Sequence, residues 1–340
     1  MDPKLHIYIP SFNRPKQCMN TVEELISQKG YQDNVVINII DNYSDIYYQK
    51  YLENNILLSK EISEGRIKIH RNNVNVGMSA NIMKCFEYAS NSKGWLWIVS
   101  DDDCIRNNAI ECILKSISQS GFGTGFIKFS SKNFKHDSDL TINSSLKLVN
   151  HIKSNSKIRF NSYIFLTNMI YQIGKYNSFM SIAYDYGLTH APHFILLTSA
   201  LSNNCFIQHN SNQIVDYKKP EIIYSYGVFA GLGVGSIKPL LIQGLSLREY
   251  HRIFQVHHDF KIALDLYYET YSKSLKATFP SLIFIHFINL LFAGCYLRSI
   301  TFLLIGFLMI IPPFRYCIIF LIKNSPYSNE INEMKLRYKL

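Results

Sequence analysis

Three consecutive carboxylates, Asp101-Asp102-Asp103, follow the apolar run Trp95-Leu96-Trp97-Ile98-Val99 and Ser100. Bounded by Gly94 on one side and acids on the other, the run reads as a buried parallel strand whose C-terminal end opens into a crevice. Ligands of open α/β sheets bind at such ends. Adjacent carboxylates repel one another, so their placement asks for a compensating charge. A divalent cation, Mg²⁺ or Mn²⁺, supplies one. It takes one or two carboxylate oxygens plus phosphate oxygens of a substrate, which suits a diphosphate held against this loop. A second reading gives Asp103 to the start of the following helix, expected over Asn107 to Ser118, through the helix dipole. The triplet alone leaves both open.

The elements that must position these acids lie upstream. Leu5 to Pro10 reads as a first strand, followed by the loop Ser11-Phe12-Asn13-Arg14-Pro15 and a helix from Lys16 to Gln28. Val35 to Ile40 reads as a second strand ending in Asp41-Asn42-Tyr43-Ser44-Asp45, with a helix from Tyr47 to Lys60. Arg66 to His70 is a third strand, and Asn72 to Met78 a loop opening a helix over Ser79 to Ser90. Strand–helix alternation of this kind predicts a parallel sheet with helices on both faces. Arg14, Asp41, Asp45, Asn75 and Asp101 to Asp103 all follow strands, so they converge on one sheet edge.

Ile9-Pro10-Ser11-Phe12-Asn13-Arg14, Ile40-Asp41-Asn42-Tyr43-Ser44-Asp45, Asn75-Val76-Gly77 with Asn81, and Ser100-Asp101-Asp102-Asp103 resemble the successive motifs of family 2 glycosyltransferases with the GT-A fold. The resemblance implies a GT-A, Rossmann-like α/β domain, with a mostly parallel sheet flanked by helices, over residues 1–215. It implies that Pro10, Ser11 and Arg14 line the nucleotide and diphosphate. Asp41 would accept a hydrogen bond from the base, most often uracil, because an imide N–H needs an acceptor. Asp45, Asn75, Gly77 and Asn81 complete the nucleotide-sugar site, with Gly77 letting backbone approach the ligand. Asp101 lies near the ribose, and Asp102, supported by Asp103, holds a divalent Mn or Mg ion. Ser100 stands where the family's first Asp usually stands, and Asn42 where a second acid is common.

The resemblance also implies inversion at the anomeric carbon and therefore a general base for the acceptor hydroxyl. The family's pattern for that base falls on Ala191-Pro192-His193-Phe194-Ile195, placing His193 at the carboxylate position, with Asp185 the nearest acid. Imidazole titrates near neutrality and can serve as a base. Packing at a helix start is the competing reading of His193.

Residues 216–340 form a mainly helical, apolar C-terminal region. Ala277 to Leu297 is interrupted by Pro280, His286 and Asn289, and Ile300 to Ile311 is too short to span a bilayer before Pro312-Pro313. Interfacial helices at a membrane surface are expected there, with a buried helical cap as the alternative. Of the 340 residues 47% are hydrophobic and 18% charged, which excludes a disordered chain, and the net charge is +10. That balance suits phosphorylated substrates or anionic lipid, and no arginine-rich run or nucleic-acid-binding signature accompanies it. Seven scattered cysteines without a C-x-x-C pair argue for reduced thiols and a cytoplasmic setting.

The expectation is a glycosyltransferase that moves a monosaccharide from a nucleotide-diphosphate sugar, a UDP-sugar above all, to a glycan or glycolipid acceptor. Bacterial surface polysaccharide biosynthesis, peripheral to the inner face of the cytoplasmic membrane, is the expected setting. The alternative is a degenerate, non-catalytic sugar-nucleotide-binding or membrane-associated protein.

Overall fold

The computed structural model describes residues 5–53, 55–131, 140–154, 163, 165–185, 192–201, 203–216, 280, 283–284, 287–288, 291, 296–311, 313–314 and 316–317. The chain divides into two compact units, Met1–Pro220 and Glu221–Leu340.

The first unit is built on β1 (Leu5–Ser11), which pairs in parallel with β2 (Val35–Asp41) on one side and β4 (Trp95–Ile98) on the other. Beyond β2 lies β3 (Ile67–Arg71), also parallel. Strands covered on both faces need apolar residues at successive positions. Accordingly Leu5, Ile7, Ile9, Trp95 and Trp97 are buried in one core cluster, while Tyr8, Leu96 and Ile98 are buried as well.

The connecting helices are α1 (Pro15–Ile26), the single turn α2 (Tyr31–Asn34), α3 (Tyr48–Glu53), α4 (Ile56–Ser63) and α5 (Met78–Ala89). Pro15 opens α1, where its missing N–H costs no hydrogen bond. The single helix expected over Tyr47 to Lys60 is two. Asn55 adopts an extended backbone, and its side chain accepts from the N–H groups of Leu57 and Leu58 at 3.1 and 3.4 Å. An amide that caps a new helix in this way ends the old one.

After β4 come β5 (Cys104–Ile105), α6 (Ala109–Ser118), β6 (Thr124–Ser131), β7 (Thr141–Ile142), α7 (Ser145–Ser154), β8 (Met169–Gln172), α8 (Met180–Asp185), α9 (Pro192–Leu201) and β9 (Phe206–Asp216). The sheet runs β3-β2-β1-β4-β8-β6-β9-β5, with β7 on β9. β8 is antiparallel to both β4 and β6, whereas β6 and β9 are parallel. That reversal has a consequence for the site. With Trp97 opposite Ile170, the short 3-10 turn Leu166–Asn168 before β8 lies beside the C-terminal end of β4, where the aspartates begin.

Of the second unit the longest described element is α10 (Tyr296–Ile310). Among the described residues no helix is long and apolar enough to cross a membrane. Most of the apolar stretch from Ala277 to Leu297 lies outside the described residues.

Candidate active site at the strand ends

The C-terminal ends of β1, β2 and β3 meet in a polar network that begins with Asp41, the last residue of β2. Its carboxylate is 1% exposed; one oxygen accepts from the Ser44 N–H at 2.8 Å and the other from Arg71 Nη1 at 2.6 Å. Arg71 ends β3. Its second nitrogen donates to the Ser44 carbonyl at 2.8 Å, and its guanidinium lies 4.1 Å from the centre of the Tyr47 ring and 4.9 Å from that of Tyr43. Tyr43 holds this place with a left-handed φ of 64°, costly for a bulky side chain. Each carboxylate oxygen keeps a lone pair after these contacts. Asp41 can therefore still accept from a ligand.

Asn42, buried beside it, explains the departure from the acid often found at that position. Its Oδ1 accepts from Asn72 Nδ2 at 2.9 Å and from the Val76 N–H at 3.0 Å, while its Nδ2 donates to Asn75 Oδ1 at 2.8 Å. A carboxylate could not make the donation. Asn72 also donates to Asn81 Oδ1 at 2.8 Å, and Asn81 Nδ2 reaches the Ile40 carbonyl at 3.3 Å. Asn75 and Asn81 therefore secure the loop's shape. Gly77 precedes α5 with φ of 80°, and a Cβ there would meet nothing within 4 Å. The dihedral requires glycine; crowding does not.

Asp45 is placed at the rim rather than at Asp41. Its carboxylate accepts from Asn13 Nδ2 at 3.0 Å and its N–H donates to Asn13 Oδ1 at 2.8 Å, tying the first loop to the second. Pro10 is half-buried within β1, opposite Ile40.

The acidic loop is organised differently. Asp101 is buried, accepts a short hydrogen bond from Ser11 Oγ, and pairs with Arg14 Nη1 at 2.8 Å. The same Arg14 nitrogen lies 2.9 Å from Asp102, whose side chain is 32% exposed. Tyr48 OH, 2.8 Å from both Ser11 Oγ and the Arg14 N–H, fixes the β1 loop against them. Ser100 Oγ donates to Asp102 Oδ1, so the hydroxyl at the family's first carboxylate position orients the second acid rather than adding a fourth charge.

Thr167 completes the arrangement. Its hydroxyl donates to Asp103 and accepts from the Ser100 N–H at 3.2 Å, and its carbonyl accepts from the Trp97 indole at 2.7 Å. Asp103 is thus bound to the turn before β8. The helix-start reading of this residue fails, because α6 begins only at Ala109. The next residue, Asn168, accepts from Lys128 Nζ, a fully buried amine on β6 that burial holds well below its ordinary pKa.

Three acids beside one guanidinium are under-compensated. Burial lifts Asp101 to about 6 against the pull of Arg14, and burial lifts Asp103 to about 7 with help from the charges of its two neighbours. Among the described residues no cluster of three His, Cys, Asp or Glu side chains could hold an ion by itself. Partly exposed Asp102 and its neighbours offer the hard oxygen donors of a cation that takes its remaining ligands from phosphate and water.

His193 is buried in the first turn of α9, a helix packed against α5 and α8, and Asp185 is the last residue of α8. The two base candidates thus sit on adjoining helices rather than in the acidic loop. Arg71, Tyr48 and Thr167 were not singled out from the sequence. Arg71 carried a legible signal, a cation at a strand end one residue beyond the expected limit. Thr167, on the far side of an antiparallel pairing, carried none.

An open α/β sheet with its polar residues gathered at the strand ends of β1 to β4, and an acidic loop after β4, is the arrangement of a GT-A glycosyltransferase. The profile of glycosyl transferase family 2 matches residues 6–179, and the chain belongs to that family. It is a glycosyltransferase. Among solved structures, TarS 1–349 of S. aureus is similar over 88% of this chain and 89% of that one, with 13% identity and a TM-score of 0.55. The TarS 1–349 complex with UDP-GlcNAc is similar over 78% of this chain, with 12% identity and a TM-score of 0.47, and the match spans 66% of that chain. The mannosyltransferase PcManGT of Pyrobaculum calidifontis, solved with GDP-Man and Mn²⁺, is similar over 94% of this chain and 84% of that one, with 9% identity and a TM-score of 0.47. No curated protein matches the sequence.

Proposed function

We propose that this enzyme transfers a monosaccharide from a UDP-sugar to a glycan or lipid-linked acceptor, with inversion at the anomeric carbon and with a divalent cation, in bacterial surface polysaccharide biosynthesis. The observation that supports it most is the union of a satisfied, buried acceptor carboxylate at Asp41 with an under-compensated acidic loop at Asp101 to Asp103, on one sheet edge.

Asp41 retains acceptor capacity for the uracil imide N–H, and Tyr43, half exposed over Arg71, offers a ring face to the base. Ser11 and Arg14 line the way from base to acidic loop and hold Asp101 in place. Asp102 and Asp103 would hold Mn²⁺ or Mg²⁺, which neutralises the diphosphate and stabilises charge on the departing group. In the transfer the acceptor oxygen bonds to the anomeric carbon as the bond to the diphosphate oxygen breaks. The acceptor proton passes to a protein base, His193 on α9 or Asp185 on α8.

Calorimetric titration of UDP, GDP and dTDP, followed by UDP-sugars carrying different sugars, tests the reading. The expected result is tight binding of UDP above the other two, and release of UDP when a competent acceptor extract is added. Equal or absent binding of all three nucleotides would overturn it.

A further inference from the structure

Among the described residues, α10 carries apolar side chains that stand exposed. One side is close-packed: Ile305 and Met309 are buried, and a Cβ built on Gly306 would stand 2.3 Å from the Ile283 side chain. Only glycine permits that approach. The other side carries Ile300, Leu304 and Phe307, which are 51%, 58% and 57% exposed, and Ile311 at 45%. Positions 300, 304 and 307 recur at i, i+4 and i+7, so they form one stripe, and Ile311 follows directly after the helix end. Phe314 and Tyr316, further along the chain, are exposed at 51% and 65%. A helix apolar on all sides is ordinarily covered all round, and an exposed apolar stripe of this length marks an interaction surface.

The charges around it point to the partner. From Thr270 to Asn329 the sequence contains no Asp or Glu, while Lys273, Lys276, Arg298, Arg315 and Lys323 fall within it. In the sequence Arg298 precedes the stripe and Arg315 follows it. An apolar face among cations with no anion complements a negatively charged lipid surface, where each Lys or Arg contributes about 1 kcal/mol. Fifteen residues at about 1.5 Å each reach about 22 Å, short of the roughly 30 Å hydrocarbon core, and α10 ends at Ile310.

We propose that the stripe Ile300, Leu304 and Phe307 docks in the plane of an anionic lipid bilayer, with α10 lying in the interface rather than crossing it. The apolar side chains would enter the headgroup boundary, and the cationic composition of the segment favours anionic lipid there. The proposal is independent of the transfer chemistry.

Co-sedimentation of the full chain with vesicles of phosphatidylcholine, with and without phosphatidylglycerol, tests it. The wild type should pellet with anionic vesicles, bind pure phosphatidylcholine about tenfold less, and lose binding as salt rises. The double variant Leu304→Glu/Phe307→Glu should bind anionic vesicles at least about tenfold more weakly while its UDP titration is unchanged. Should that variant fail to fold, Leu304→Ser/Phe307→Ser replaces it, and the wild type's lipid and salt dependence needs no variant. A wild type left in the supernatant with anionic vesicles overturns the proposal. So does a folded variant that pellets as well as the wild type, or a wild-type dimer that the variant dissociates without loss of vesicle binding.

Discussion

The strand ends of β2 and β3 and the loop after β4 lie on one sheet edge and are built on opposite principles. Around Asp41 the charges balance one to one with Arg71, and the neutral amides Asn42, Asn72, Asn75 and Asn81 satisfy one another. Around Asp101 to Asp103 three acids share Arg14, and two of them are pushed up by burial to about 6 and about 7. The first half is finished before a ligand arrives; the second gains from an added positive charge. Under the proposed function the first would be the nucleotide half, needing fixed shape to select a base, and the second the diphosphate half, needing spare negative charge to recruit a cation.

The largest effects come from breaking the balanced half. Asp41→Ala leaves the Arg71 guanidinium facing a buried gap and should cost about 3 kcal/mol of stability, read by urea denaturation, along with nucleotide affinity. Asp102→Asn removes a carboxylate from the unbalanced half, where the rest of the fold does not depend on it. Turnover should fall by about a hundredfold or more, with little change in denaturation midpoint. Asn42→Asp sharpens the contrast. It restores the acid common in the family but deletes the donation to Asn75, and should cost about 1–2 kcal/mol of stability.

The last effect is one of pH. Asp101 and Asp103 titrate higher in the fold than an unfolded aspartate does, so the folded state binds more protons from about pH 4 to about 7. Stability contributed by their protonated forms is present below that window and is lost as pH rises through it. Asp103→Asn should flatten this decline, read as Tm measured across the window. Mn²⁺ with UDP should recover the loss in the wild type at pH 7.5 and much less of it in Asp102→Asn.

Much of this was legible from sequence because parallel strands buried on both faces write themselves as apolar runs, and polar residues at their ends must be functional or turn-forming. β1 to β4 and the residues Arg14, Asp41 and Asp101 to Asp103 followed from that, while Ser11 came from the family resemblance. The partners did not. Arg14, expected along the diphosphate, is bound to Asp101 and Asp102, a pairing across two loops that spacing does not encode. Thr167 reaches Asp103 only because β8 runs antiparallel to β4. The break at Asn55 had a signal in the pair Asn54-Asn55, poor helix formers of which the second caps α4. For α10 the apolar composition was evident, and which side is packed became visible only with Ile283 against Gly306.

The most direct test of two unlike halves is calorimetric titration of UDP, with and without Mn²⁺, into the wild type, Asp41→Asn and Asp102→Asn. The account predicts that Asp41→Asn binds more weakly in both conditions yet keeps the gain from Mn²⁺, while Asp102→Asn keeps the metal-free affinity and loses the gain. If both variants lose the same quantity, or Mn²⁺ adds nothing to the wild type, the division of the site into a finished half and a cation-seeking half is wrong.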